Sequence, residues 1–116
     1  MQKVIYLIDQ PLDKRNFKRF GIELMLKEGW EVEIWDITYL MYPEYWNYFN
    51  KFYKKKKFSK YFLIKSNNQI NFFLKKLKKD SIIIDQAAIN LKFLILKIRN
   101  YCKQKKITRI STLHGS

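Results

Sequence analysis

The stretch Lys3-Val-Ile-Tyr-Leu-Ile-Asp9-Gln10-Pro11-Leu12-Asp13-Lys14-Arg15 decides the fold class of this 116-residue chain. Residues 4–8 are all apolar, as in a strand that is buried on both faces of a parallel sheet. A polar loop follows, and Asp13 is a favourable N-cap for a helix. This order is typical of nucleotide-binding α/β domains, yet the loop contains no glycine. Because glycine lets backbone N–H groups approach a phosphate closely, the usual phosphate-binding device is missing.

Apolar strands alternate with helical patterns along the rest of the chain. We expect further strands at residues 31–36, 61–64, 81–85 and 107–113. Gly29 stands where a left-handed helix C-cap belongs, and Ser66 or Asn67 is expected to cap another helix. Three groups of apolar residues have helical spacing: Phe17, Phe20, Leu24 and Met25; Ile70, Phe73, Leu74 and Leu77; and Leu91, Leu94, Ile95, Ile98 and Cys102. The pattern predicts a Rossmann-like three-layer αβα sandwich with a mostly parallel sheet of about five strands.

The chain is predicted to be a single domain over residues 1–116, because it has no repeats and no Gly/Ser-rich linker. Its last predicted strand runs into Leu113-His114-Gly115-Ser116 with no helix after it. A parallel strand without its covering helix is unusual. We therefore expect this sequence to be the N-terminal fragment of a longer protein.

Positive charge is concentrated in the second part of the sequence. Residues 1–45 contain six Lys/Arg and eight Asp/Glu, whereas residues 46–116 contain eighteen and two, for a net charge of +14. A strongly basic segment indicates an anionic partner, such as an acidic membrane surface or nucleic acid. A general compositional preference for lysine accounts for the excess equally well.

Several classes of protein are disfavoured. No apolar run approaches the roughly 20 residues of a membrane-spanning helix, and Asp9 interrupts what would be the apolar core of a signal peptide. The single cysteine, Cys102, forms no internal disulfide and fits a reducing compartment. The cytoplasm is the expected location.

Polar residues at the ends of predicted strands form the candidate binding crevice. In an open parallel sheet, ligands bind outside the carboxyl ends of the strands, where the strand order reverses. Asp9-Gln10 and Asp85-Gln86 each end an apolar strand, so neighbouring strands would place both pairs in one crevice. The competing interpretation is that strand-end acids simply cap helices. The candidate substrate-binding residues are Asp9, Gln10, Asp36, Asp85, Gln86 and His114.

The sequence gives little support for a metal site, an NAD site or a catalytic nucleophile. Asp9, Asp36 and Asp85 would suit Mg²⁺, but acids at strand ends are common, and we expect no metal site. Asp36 occupies the place of a ribose-binding acid, although the glycine loop that gives this position meaning is absent. No catalytic residue is assigned, since the chain has one histidine and one cysteine. Cys102 follows an apolar helical stripe and is expected to pack in the core.

Residues 44–57 combine many aromatic residues with a run of lysines. Tyr45, Phe49, Phe52 and Tyr53 are expected to share one helix face, with Trp46 and Tyr48 at its margins. This segment is a candidate membrane or anion contact, and its contact residues are Trp46, Lys54, Lys55, Lys56 and Lys57. The favoured alternative is a helix that packs its aromatic residues on the sheet, followed by a solvated lysine loop. Nucleic acid is the least favoured partner, because no recognised RNA-binding motif is present.

Three motifs, Tyr6-Leu-Ile-Asp-Gln-Pro11, Phe20-Gly21 and Gly29-Trp-Glu-Val-Glu-Ile-Trp-Asp36, resemble the N-terminal domain of bacterial surface or capsular polysaccharide biosynthesis proteins. That group is similar to glycosyltransferases with two Rossmann domains. The resemblance is clearest over about the first 45 residues. It implies an acceptor-binding N-terminal domain, with the nucleotide-sugar donor held mainly by a C-terminal domain. This division would account for the missing phosphate loop.

The sequence therefore leaves two hypotheses. In the first, the chain is the acceptor-side domain of a glycosyltransferase-like protein, inactive alone and without a cofactor of its own. Its partners would be the missing C-terminal domain and a lipid-linked or saccharide acceptor, with peripheral contact at the inner face of the membrane. In the second, it is a non-enzymatic basic module that docks on anionic membrane or nucleic acid through residues 46–60.

Overall fold

A computed structural model of the chain describes residues 2–87 and 93–111, with the side chain of residue 93 not included. Within them, five strands form one parallel sheet: β1 (Lys3–Ile8), β2 (Glu31–Asp36), β3 (Tyr61–Leu63), β4 (Ile82–Asp85) and β5 (Thr108–Ser111). The helices are α1 (Lys14–Arg19), α2 (Ile22–Lys27), α3 (Thr38–Met41), α4 (Pro43–Phe52), α5 (Asn67–Lys75) and α6 (Phe93–Lys105). The predicted Rossmann-like parallel fold is confirmed.

The strands lie in the order β3-β2-β1-β4-β5. The chain therefore builds the sheet outward from β1 in one direction through β2 and β3, and then returns to the other side of β1 for β4 and β5. In a doubly wound sheet this reversal is the topological switch point. It lies here between β1 and β4.

Alternate residues of β1 enter two separate hydrophobic cores, one on each face of the sheet. Ile5 and Leu7 face the core that α5 and α6 cover, together with Ile70 and Ile95. The other face packs against α1 and α2 through a second core made of Val4, Tyr6, Ile8, Leu12, Phe17, Phe20, Ile22, Val32 and Ile34. Because strand side chains alternate between faces, a strand covered on both sides must be apolar throughout, which is the pattern of residues 4–8.

Two predicted helix caps are confirmed. The Asp13 carboxylate accepts a hydrogen bond from the backbone N–H of Asn16 at 2.7 Å and caps α1. The Ser66 hydroxyl accepts one from the Gln69 N–H at 3.2 Å and caps α5. Gly29 adopts a φ of +87° after α2, as expected of a left-handed C-cap.

The first helical segment differs from the prediction, because it is broken at Gly21. This residue has a φ of +75°, a conformation that glycine adopts without the steric cost of a Cβ atom. The break re-aims the second helix, so Ile22 is buried and Leu24 is exposed. Leu24, which has helical spacing with Phe17 and Phe20 in the sequence, therefore does not share their buried face. Of the helical stripe predicted from Leu91 onward, Leu91 itself lies outside the described residues.

Candidate functional site

The candidate crevice lies at the carboxyl ends of β1 and β4, which are hydrogen-bonded neighbours. Asp9-Gln10 and Asp85-Gln86 were expected to reach the same edge of the sheet only if their strands were neighbours. The pairing of β1 with β4 fulfils this condition. Asp9 and Gln86 are largely buried there, and Gln10 is half-buried. The Oε1 atom of Gln10 accepts a hydrogen bond from Arg19 Nη2 at 3.0 Å.

The two Asp-Gln pairs are not level with each other in the sheet. Leu7 is the register partner of Asp85, and the Gln86 N–H donates to the Leu7 carbonyl at 2.8 Å. Asp9 therefore lies two residues farther along the sheet than Asp85, or about 7 Å at the rise of a parallel strand. The similarity of the two pairs in sequence does not correspond to side-by-side positions, and Asp9-Gln10 stands farther out at the carboxyl edge.

Asp85 is fully buried and forms ion pairs with two arginines. Its Oδ2 atom lies 3.3 Å from Arg99 Nε and 3.2 Å from Arg109 Nη1, and its Oδ1 accepts a hydrogen bond from the Ala87 N–H at 3.1 Å. The carboxylate thereby joins β4 to both α6 and β5. Binding a ligand through Asp85 would require it to give up these contacts, so its geometry is that of a structural residue.

The two arginine partners of Asp85 were not predicted from the sequence. A signal was present, because Arg99 and Arg109 are the only arginines among the eighteen basic residues of the segment 46–116. Arginine is preferred over lysine in buried ion pairs, since its guanidinium is planar, more weakly hydrated and able to contact several acceptors. Two arginines in a lysine-rich segment therefore indicate a buried carboxylate partner.

Asp36 is also fully buried at the end of β2 and accepts three hydrogen bonds, two from the nearby Thr38 and one from the distant Tyr61. The Thr38 N–H donates to its Oδ1 at 2.8 Å, the Thr38 hydroxyl donates to the same atom, and the Tyr61 hydroxyl donates to its Oδ2. Burial raises the pKa of Asp36 above its usual value, while these hydrogen bonds and the positive charge of Lys55 act in the opposite direction. Burial and the neighbouring carboxylate likewise raise the pKa of Tyr61. Asp36 holds the start of α3 and the start of β3 together.

The loop after β1 is closed by its own hydrogen bonds. Besides the Asp13 cap on α1, Asn16 Nδ2 donates to the Pro11 carbonyl at 2.9 Å, and the Lys56 N–H donates to the Leu12 carbonyl at 2.9 Å. A carboxylate thus occupies the start of α1, where a phosphate-binding loop would hold its anion. A second anion at this helix end would be repelled.

The aromatic helix α4 is oriented differently from the prediction. Trp46 is only 4% exposed and, with Phe49, forms the buried side of α4. Lys55 Nζ lies 4.3 Å from the centre of the Trp46 ring. The prediction that Trp46 contacts a membrane directly was wrong, because its ring is covered. Phe49 does not share an exposed face with Tyr45 and Phe52; the exposed aromatic residues are Tyr45, Tyr48, Phe52 and Tyr53.

The four lysines at residues 54–57 are exposed, as a solvated loop requires. They lie next to the candidate crevice, because Lys56 bonds to the loop after β1 and Lys55 acts on the Asp36 carboxylate. The predicted site residue His114 lies outside the described residues. Cys102 is buried in the core, and burial raises the pKa of its thiol. Over residues 2–87 and 93–111, no group of three or more His, Cys, Asp or Glu side chains is placed to hold a metal ion.

A cavity of about 440 Å³ lies at the other end of the sheet. Trp35, Phe62 and Phe73 line it, and Lys3 and Glu33 lie at its polar side. Glu33 is already engaged, because Trp35 Nε1 donates to its Oε1 at 2.8 Å and Lys3 Nζ lies 3.2 Å from its Oε2. Of the predicted substrate-binding residues that the structure describes, none lines this cavity.

Among the described helices, none has the length and apolar character needed to cross a membrane. No protein-family model, curated protein or solved structure matches the chain.

Proposed function

We propose that the chain is the acceptor-side N-terminal domain of a glycosyltransferase-like protein of bacterial surface polysaccharide biosynthesis. The observation that carries this proposal is the doubly wound strand order, whose switch point lies between β1 and β4. A crevice at that point is the general ligand site of open α/β sheets. The sequence resemblance to polysaccharide biosynthesis proteins supplies the substrate class.

The hydrogen bonds around the crevice favour an uncharged, hydroxyl-rich ligand over a nucleotide. Asp13 fills the start of α1, so the loop after β1 offers no helix terminus to a phosphate. The Gln10 and Gln86 amides carry both donors and acceptors, which suits sugar hydroxyls. The nucleotide-sugar donor is assigned to a second domain, and the domain alone is expected to lack transferase activity.

The residues divide into two roles under this proposal. Asp9, Gln10 and Gln86 contact the acceptor, and Asp9 is the candidate base for its attacking hydroxyl. Asp36 and Asp85 hold the ends of β2 and β4 in place through their own hydrogen bonds and ion pairs. His114 remains a candidate contact on the basis of the sequence.

An NMR titration of the isolated chain with water-soluble oligosaccharide acceptors tests this proposal. We expect the amide signals of residues 9, 10 and 86 to shift in a saturable manner. Gln10→Ala should weaken that response, whereas Gln104→Ala, the same change on the exposed side of α6, should leave it intact. Shifts confined to the outer surfaces of the helices would contradict the proposal.

The second candidate function is a non-enzymatic module that binds an anionic surface. The observation that favours it is the cluster of exposed aromatic side chains beside the lysines of residues 54–57. A chain that binds anionic vesicles but shows no response to any saccharide would support this second function over the first.

A further inference from the structure

Four neighbouring aromatic side chains are exposed at α4. We call Tyr45, Tyr48, Phe52 and Tyr53 the aromatic patch; each of these side chains is between 46% and 60% exposed. Tyr45, Tyr48 and Phe52 follow i, i+3, i+7 spacing and therefore lie on one face of the helix. Soluble domains rarely leave several large apolar side chains exposed side by side, so such a patch marks an interaction surface.

Three rings of the patch pack against one another. The centre of the Tyr48 ring lies 4.8 Å from that of Phe52 and 6.1 Å from that of Tyr53. Tyr53 in turn stacks on the buried Phe49 at 5.4 Å. Tyr48, Phe52 and Tyr53 thus form a continuous apolar surface, which Phe49 anchors to the core of the domain.

Lysines border the aromatic patch, and the single acid beside it is Glu44 in the first turn of α4. Residues 45–60 contain six lysines and no Asp or Glu. Lys51 Nζ lies 5.5 Å from the centre of the Phe52 ring, and Lys54, Lys55, Lys56 and Lys57 follow the patch directly with exposed side chains. Apolar rings flanked by ammonium groups complement a bilayer surface that contains anionic lipid, because the rings enter the interface while the lysines contact the headgroups.

Nucleic acid fits this surface less well than a membrane does. The segment contains no arginine, the residue whose planar guanidinium recognises nucleic-acid phosphates and stacks on bases. Base stacking also requires open ring faces, whereas Phe49 covers one face of Tyr53. Trp46, which would be the strongest stacking residue, is buried.

We propose that the aromatic patch and its lysines dock the domain on membranes that contain anionic phospholipid. The docking surface adjoins the candidate crevice, since the Lys56 N–H bonds to the Leu12 carbonyl in the loop after β1. Docking would therefore turn the carboxyl edge of the sheet toward the headgroups, where a lipid-linked acceptor is presented. This last consequence rests on the proposed function, whereas the docking itself does not.

Vesicle flotation with the full 116-residue chain tests the docking. We expect binding to vesicles that mix phosphatidylglycerol with phosphatidylcholine, and no binding to phosphatidylcholine alone. Binding should weaken as salt is raised, because the lysine contribution is screened. Equal binding to both kinds of vesicle, or no binding to either, would overturn the proposal.

Two pairs of substitutions locate the surface. Lys54→Gln with Lys57→Gln should weaken binding to the mixed vesicles by a factor of about ten, from the loss of two positive charges near an anionic surface. Tyr48→Ser with Phe52→Ser should weaken it by a similar factor of about ten, from the loss of inserted rings. Circular dichroism checks that both variants fold; the lysine pair carries the test if the aromatic pair does not.

Matched controls lie elsewhere on the surface. Lys103→Gln with Lys105→Gln removes the same charge from α6, and Phe72→Ser removes a ring that is 56% exposed on α5. Both controls should bind vesicles as the unmodified chain does. Controls that lose as much binding as the patch variants would show general electrostatic adhesion and overturn the proposal.

Binding of a single-stranded oligonucleotide tests whether the surface recognises nucleic acid instead of a membrane. If the oligonucleotide binds more tightly than the mixed vesicles and loses affinity with the same two patch variants, the surface is a nucleic-acid site and the membrane proposal is wrong. The saccharide titration uses water-soluble acceptors without vesicles, so failure of the docking leaves the proposed function open to its own test.

Discussion

Asp85 and Asp36 are fully buried strand-end carboxylates whose partners come from the domain itself. Arg99 and Arg109 neutralise Asp85, whereas Asp36 is held by hydroxyl and amide donors. A buried carboxylate is costly unless it is paired or hydrogen-bonded. Both side chains therefore stabilise the carboxyl edge of the sheet, next to the residues proposed to contact the acceptor.

Substituting Asp85 should destabilise the fold strongly. Asp85→Asn keeps the shape of the side chain but leaves two arginines without their counter-charge, and breaking a buried ion pair costs about 3 kcal/mol. Urea denaturation measures the loss. Asp80→Asn, the same change at an exposed carboxylate, should alter the unfolding free energy by less than about 0.5 kcal/mol. Equal effects of the two substitutions would contradict the structural role of Asp85.

Asp36 should make stability depend on pH in a defined direction. Burial raises its folded-state pKa, so the folded chain binds more protons than the unfolded chain at intermediate pH. The Asp36 contribution to the unfolding free energy therefore falls as pH rises from the unfolded pKa of about 4 through the raised folded pKa, and is constant above it.

Asp36→Asn should remove this decline. Its unfolding free energy, measured by urea denaturation across the acidic range, should fall less with rising pH than that of the unmodified chain. Asp80→Asn serves as the comparison and should keep the original slope. An unchanged slope in Asp36→Asn would show that other groups cause the dependence.

At the scale of elements, the start of α1 shows how a glycine-free loop is completed. The helix has six residues, and Asp13 supplies the hydrogen bond that its first N–H groups need. Short helices have little stability of their own, so the cap and the burial of Phe17 hold α1 in place.

Removing the α1 cap should lower stability measurably. Asp13→Ala loses the hydrogen bond to Asn16 and should reduce the unfolding free energy by about 1 kcal/mol. Asp13→Asn, which retains a side-chain oxygen acceptor, should lose much less. Thermal unfolding followed by circular dichroism compares the two variants, and an equal loss would mean that the charge of Asp13 matters more than its cap.

The helix α4 shows the limit of periodicity. Trp46 and Phe49 are buried, yet Tyr45, Tyr48, Phe52 and Tyr53 are exposed on the same segment. With aromatic residues on most sides, helical spacing alone does not identify the face that meets the core. The position of the neighbouring helix α3 and of the returning loop decides it, because Lys55 covers Trp46.

For the whole molecule, the net charge of +14 opposes compaction. Self-repulsion among like charges weakens as the Debye length shortens from about 30 Å at 0.01 M salt to about 8 Å at 0.15 M. We therefore expect the thermal unfolding midpoint to rise with sodium chloride over this range. The uncharged solute urea at equal osmolarity should not raise it. A midpoint that is flat or falling in salt would show that the charges are already balanced in the fold.

The sequence by itself determined the fold class and much of its local structure. The apolar run at residues 4–8, the caps at Asp13 and Ser66, and Gly29 each depend on interactions within a few residues or on simple two-sided burial. Such features can be predicted because the burial pattern and the local hydrogen bonds depend on residues that are close together in the sequence.

Only the tertiary structure decided which strand-end acids have protein partners and which aromatic side chains of α4 are exposed. Asp85 meets Arg99 and Arg109, and Asp36 meets Tyr61, across distances of 14 to 25 residues along the chain. The register that sets Asp85 beside Leu7, and hence Asp9 beyond it, is likewise fixed by packing between strands. Contacts between distant segments depend on how whole elements dock, and local spacing carries no information about that docking.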